Sequence, residues 1–101
     1  MNLTELKELI RSGENERLEF KKSTGQRTDA AKTVCAMLNG TGGFVLVGIS
    51  DHGEIIGQHV SANTLNDIAH ELGRIEPPAI LDMKTIVLQN GKSVIVLNIS
   101  T

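Results

Sequence analysis

Three carboxylates stand where this chain could build a metal site. Glu14 and Glu19 lie at the entrance to a short alternating segment, and Asp51 follows an apolar run, Phe44–Val47. Carboxylates converging at a sheet end can hold Mg²⁺ or Mn²⁺, and a hydrated metal is one route to phosphodiester cleavage. Acids of this kind are more often simply exposed, and residue types alone leave both readings open. A second group is basic. Residues 20–34 carry Lys21, Lys22, Arg27 and Lys32 against Asp29 alone, in a chain whose flanking segments are acidic. Such cations can neutralise phosphates; a solvated loop and helix face is the ordinary alternative. A third candidate is the turn Asn39-Gly40-Thr41-Gly42-Gly43, just ahead of the apolar run. Glycine tolerates positive φ and close approach to the backbone, so this turn could receive a phosphate or could be only a turn.

Other candidates fail on spacing. Gly91-Lys92-Ser93 would end a phosphate-binding P-loop only if a glycine stood where Ile86 stands. The glycine turn leads from helix to strand, the reverse of a dinucleotide-binding loop. His52, His59 and His70 are not spaced as metal ligands and read as surface residues. Cys35, the lone cysteine, sits in an apolar helical stretch and reads as a buried core thiol.

Composition sets the class. The chain has 101 residues, a hydrophobic fraction of 40% and a net charge of −2, which fits one soluble domain without a strong field for nucleic acid. Its only aromatic residues are Phe20 and Phe44. The core must therefore be aliphatic, and base-stacking platforms for single strands are disfavoured. A single cysteine, no long apolar run and no signal-like N-terminus together predict a cytoplasmic protein with no membrane contact.

These residues need elements to position them. Leu3, Leu6 and Ile10 predict an amphipathic helix over 3–11, and Arg17–Lys21 alternates as a short strand with Leu18 and Phe20 inward. Thr28 is the expected cap of a helix over 29–38, whose buried face would be Ala30, Ala31, Val34, Cys35 and Leu38. Phe44–Ile49 is apolar enough for a central strand covered on both faces. Asp51-His52-Gly53 would turn the chain into a return strand, Glu54–Gly57. Ser61 or Asn63 would cap a third helix along Leu65, Ile68, Ala69, Leu72 and Ile75, stopped at Glu76-Pro77-Pro78. Strands over 80–88 and 93–99 would form a hairpin at Asn90-Gly91. The order α-β-α-β-β-α-β-β predicts an α+β domain: a mixed or antiparallel sheet of about five strands with about three helices against one face.

Several stretches together resemble one family. Glu14-Asn15-Glu16-Arg17-Leu18-Glu19-Phe20-Lys21 resembles Glu-x-x-x-Leu/Val-Glu-Phe-Lys. Ala36–Gly43, then Gly48-Ile49-Ser50-Asp51-His52-Gly53 and Ile55-Ile56-Gly57, resemble its central signature of Ala-x-x-Asn-x-x-Gly-Gly, an apolar strand, Gly-Val/Ile-x-Asp-x-Gly and x-Ile/Val-x-Gly. This is the Schlafen AlbA-like family, a divergent AAA-type group described as DNA-binding. The resemblance implies the N-terminal domain (residues 1–101) of a longer bacterial or archaeal protein, a transcriptional regulator or RecG-related ATP-dependent helicase-like protein. ATP would then belong to missing C-terminal domains, and no cofactor is expected for this domain alone. In the eukaryotic Schlafen branch the domain type is an RNA endonuclease with three acidic residues. Two carry over to Glu14 and Glu19, and Asp51 is the candidate for the third, although Ser50-Asp51-His52 stands where members often have adjacent acids.

The leading expectation is a nucleic-acid-binding module, DNA favoured over RNA, without enzyme activity of its own. Lys21, Lys22, Arg27 and Lys32 would contact phosphates non-specifically, beside Asn39, Thr41, Gly42 and Gly43 of the turn. The alternative is a metal-dependent ribonuclease in which Glu14, Glu19 and Asp51 hold Mg²⁺ or Mn²⁺. A third reading is an interaction domain that forms a homodimer or docks on a missing C-terminal region.

Overall fold

Asn2 opens the first helix, α1 (Leu3–Arg11), by a reciprocal cap. Its side chain accepts the Glu5 N–H at 2.8 Å, and the Glu5 carboxylate accepts the Asn2 N–H at 3.1 Å, so two otherwise orphaned donors are satisfied. The computed structural model describes residues 1–73 and 80–100. After α1 come β1 (Leu18–Lys21), a 3₁₀ turn (Thr24–Gln26), α2 (Arg27–Leu38), β2 (Gly43–Val47), α3 (Ala62–Leu72), β3 (Ile80–Val87) and β4 (Ser93–Ser100). The sheet order is β1-β2-β4-β3. β1 and β2 run parallel, joined through α2, and the other neighbours are antiparallel. This is the expected α+β domain with a mixed sheet.

Helices cover both faces of that sheet rather than one. α1 packs Leu6 against Leu18, Phe20, Leu46, Ile86, Val94 and Val96. On the opposite face α2 and α3 pack Ala30, Val34, Met37, Ile68 and Leu72 against Val45, Val47, Ile95, Leu97 and Ile99. The cause lies in β2 and β4. Both are apolar at nearly every position, so alternation sends half of each strand to either face and both faces need a cover.

Among the described residues the sheet has four strands, not five. The expected return strand shrinks to an isolated bridge between Ile49 and Ile55. Ile56 and Gly57 both donate to the Gly48 carbonyl, at 2.9 and 2.8 Å, which pulls the chain off a regular ladder. Gly57, at φ +69°, turns it so that Gln58 pairs with Ser93.

α2 has Gln26 at its N-cap position, two residues before the expected Thr28, and buries Ala30, Val34 and Met37. Cys35, one residue round the helix from Val34, is exposed and is not a core thiol. Ser61 caps α3 together with Thr64; Ala69 is exposed, and the expected stop at 76–78, with Ile75, lies outside the described residues. The β3–β4 hairpin forms with Gly91 at φ +83°, closed by Leu88 N–H donating to the Lys92 carbonyl at 2.8 Å. No described helix is long and apolar enough to cross a membrane.

Candidate functional site: an acidic cleft and a basic ridge

Alternation along β1 decides the chemistry of both regions. Leu18 and Phe20 enter the core beneath α1, so Glu19 and Lys21 project from the other face. Glu19 lies on the floor of a cleft of about 390 Å³ between the Asn15-Glu16 loop and the C-terminal half of α2, where Thr33, Gly40 and Thr41 form the far wall. Lys21 Nζ stands 3.3 Å from Glu19 Oε1, and its side chain is only 12% exposed. This lysine is committed to Glu19.

Glu14 reaches the same carboxylate from outside the sheet. β1 is an edge strand, so the Phe20 N–H points away from β2. The Glu14 carboxylate accepts it at 3.2 Å. Burial first, then a hydrogen bond and repulsion from Glu14, raise the Glu19 pKa above the ordinary glutamate range; Lys21 pulls it the other way. Two carboxylates so close favour retaining a proton between them.

Asp51 does not join them. Among the described residues no group of three or more His, Cys, Asp or Glu side chains is placed to hold a metal ion. Ser50 fixes the turn that carries Asp51. Its N–H donates to the Glu54 carbonyl at 2.9 Å, and its hydroxyl accepts the Glu54 N–H at 3.0 Å. Asp51 and His52 are exposed in that turn, and His59 and His70 are exposed as expected.

The glycine turn divides into two parts. Gly40 and Thr41 line the cleft and Asn39 is exposed at the helix end, whereas Gly42 and Gly43 are buried. A Cβ on Gly42, at φ +81°, would collide with the Ile99 carbonyl, and one on Gly43, at φ +152°, with the Arg17 carbonyl. These two glycines let three strand ends meet and present no surface to a ligand. The N–H groups of Asn39, Gly40 and Gly42 all donate within the turn, to Cys35 or Met37 carbonyls. With Glu16 and Glu19 facing it, the turn is a poor phosphate cradle.

The other basic residues of this segment follow β1 in the chain. Lys22 and Lys32 are exposed, and Arg27 is the first residue of α2. Gln26, at the N-cap position of α2, makes no side-chain capping bond, because its Oε1 accepts the Lys22 N–H at 2.8 Å. Gln58 anchors the same segment: its Oε1 accepts the Thr24 N–H at 2.8 Å, and its Nε2 donates to Thr24 Oγ1 at 3.2 Å. Gln26, Gln58 and Asn15 escape the sequence reading, because a lone amide carries no spacing signal before its distant partner is known.

A parallel β1–α2–β2 unit, extended by an antiparallel hairpin and faced by helices on both sides, defines the class of domain. Residues 14–101 match the family model described as Schlafen, AlbA_2, and the chain belongs to that family. No curated protein matches the chain in sequence.

Proposed function

We infer that this domain is a nucleic-acid-binding module that grips phosphates through the ridge from Lys22 to Lys32. The observation that carries this reading is the exposure of Lys22 and Lys32 beside an α2 N-terminus that no side chain caps. The helix dipole favours an anion there, and the flanking cations add charge. Membership of the Schlafen AlbA_2 family supports the same reading. Lys21 drops out of the phosphate set because Glu19 holds it. With Lys22, Arg27 and Lys32 as the remaining cations, log K on duplex DNA should fall with log salt at a slope of about −3 or shallower. No base-reading helix face accompanies them, so binding is largely indifferent to sequence. In a longer regulator or RecG-related helicase-like protein, this module would hold the assembly on nucleic acid, with ATP bound elsewhere.

Fluorescence anisotropy with labelled duplex DNA, single-stranded DNA and RNA at two salt concentrations tests the proposal. Lys22→Ala/Lys32→Ala should weaken binding and flatten the salt slope by about two, while Lys21→Ala leaves the slope unchanged. Binding that ignores salt, or survives the double variant intact, refutes it.

The contact between Glu14 and Glu19 favours a second reading, a metal-dependent ribonuclease. Those two carboxylates would hold Mg²⁺ or Mn²⁺, with Asp51 as the third ligand only after its turn moves. Bound there, the ion would supply an activated water. Cleavage of structured RNA in Mn²⁺ that Glu19→Gln abolishes would support this reading; no cleavage, or cleavage that Glu19→Gln leaves unchanged, excludes it.

A further inference from the structure

The outer edge of β3 is a row of backbone donors and acceptors with a charge pattern that fits itself. β3 runs from Ile80 to Val87, and among the described residues its sole strand neighbour is β4. The hairpin bond from Leu88 N–H to the Lys92 carbonyl fixes the phase of that ladder. In an antiparallel pair the bonding residues alternate, so Ile86, Lys84 and Asp82 bond to β4. The N–H and C=O groups of Leu81, Met83, Thr85 and Val87 therefore point outward. Near the end of the strand Thr85 is exposed and Val87 is 72% exposed, while Ile86 is buried and Met83 packs on the core.

Edge strands left open in this way pair readily with another chain unless charges forbid it. Here the charges do not forbid it. Asp82 and Lys84 lie on one face of β3, both about 60% exposed, with 3.7 Å between Nζ and Oδ2. The geometry points to β3 as a homodimerisation edge: two copies pair antiparallel about Met83, so that Asp82 of each faces Lys84 of the other, and the two sheets become one.

The register follows from three requirements. Outward-pointing residues must oppose one another, which restricts the symmetric pairings to those centred on a single residue of β3. Centring on Lys84 sets lysine against lysine, and centring on Asp82 sets aspartate against aspartate; like charges directly opposite are destabilising. Centring on Thr85 sets Lys84 against Ile86. Only the Met83-centred register brings both opposite-charge pairs together. It sets Met83 against Met83 of the second copy and Thr85 against Leu81 of the second copy, each pair exchanging both its N–H···O bonds. The ion pair within each strand is thereby traded for cross-strand pairs of the same kind.

Sedimentation equilibrium on the 101-residue chain, from micromolar to millimolar concentration, tests this. A monomer–dimer equilibrium is expected. Asp82→Lys and Lys84→Asp should each weaken self-association about tenfold, since attractive cross-strand pairs become repulsive, and an equimolar mixture of the two variants should associate again. Thr85→Pro should be monomeric while keeping the native circular-dichroism spectrum, because its N–H faces outward, its side chain is exposed and proline is tolerated at such an edge position. A wild-type chain that stays monomeric throughout overturns the proposal. So does a dimer indifferent to both charge swaps, or a mixture that fails to recover.

Discussion

Along β1 the outer edge of the sheet is occupied by the chain itself, whereas along β3 no described residue pairs with it. The Gly13–Arg17 loop folds back on β1, with Asn15 and Leu18 exchanging backbone bonds at 3.0 and 3.1 Å and the Glu14 carboxylate taking the Phe20 N–H. β3 is twice as long, eight residues against four, and carries no such strap among the described residues. The strap has a consequence beyond closing the edge. It delivers Glu14 to Glu19, the carboxylate that also pairs with Lys21. An edge closed by a carboxylate becomes a titratable site, and an edge left open becomes a surface for association.

The largest effect should come from detaching β1. Gly43→Ala places a methyl group against the Arg17 carbonyl at a φ that non-glycine residues avoid. It should cost about 3 kcal/mol or more, read by urea denaturation. A small loss there would mean that β1 is not held as described. Thr85→Pro comes next: the open edge should lose its self-association while the core stays intact, since Thr85 is exposed.

A smaller effect concerns the proton held by the strap. Because the folded state raises the Glu19 pKa, that carboxyl binds its proton more tightly than in the unfolded chain. The stability so gained is fully present below the unfolded glutamate pKa and is lost as pH rises through the folded value. Wild type should therefore gain stability relative to Glu19→Gln as pH falls from neutrality through that window. By carboxyl NMR, Glu14→Gln should lower the Glu19 midpoint without restoring it fully, since burial is the larger cause. An unchanged midpoint would show that Glu14 does not touch Glu19. Smallest are the ridge lysines, where Lys22→Ala or Lys32→Ala alone should reduce the salt slope by about 0.9 each.

Much of this architecture was legible from local chemistry. The Leu3/Leu6/Ile10 spacing marks α1, Ser61 is one of the two caps offered for α3, the Leu18/Phe20 alternation sets the facing of β1, and the apolar run at 44–47 names the central strand. What escaped depends on distant partners. The collapse of the fifth strand rests on Gly48 accepting two N–H groups, and the exposure of Cys35 on α2 covering the sheet through Met37 instead. At the site, the motif spacing made Glu14 and Glu19 candidates together, and the fold brings them together. Asp51 was named with them from its place after the apolar run, and the Ser50 turn holds it apart. Lys21 reads as one basic residue among four until its carboxylate partner is seen on the same face of the strand.

The central claim is that phosphates meet the ridge and avoid the cleft. Backbone amide NMR during titration with a short DNA duplex tests it most directly. Resonances of Lys22 to Lys32 should shift and lose their shifts as salt is raised, with Asn15, Glu16 and Thr41 unmoved. Shifts concentrated at Asn15, Glu16 and Thr41, with Lys22 and Lys32 silent, would contradict it.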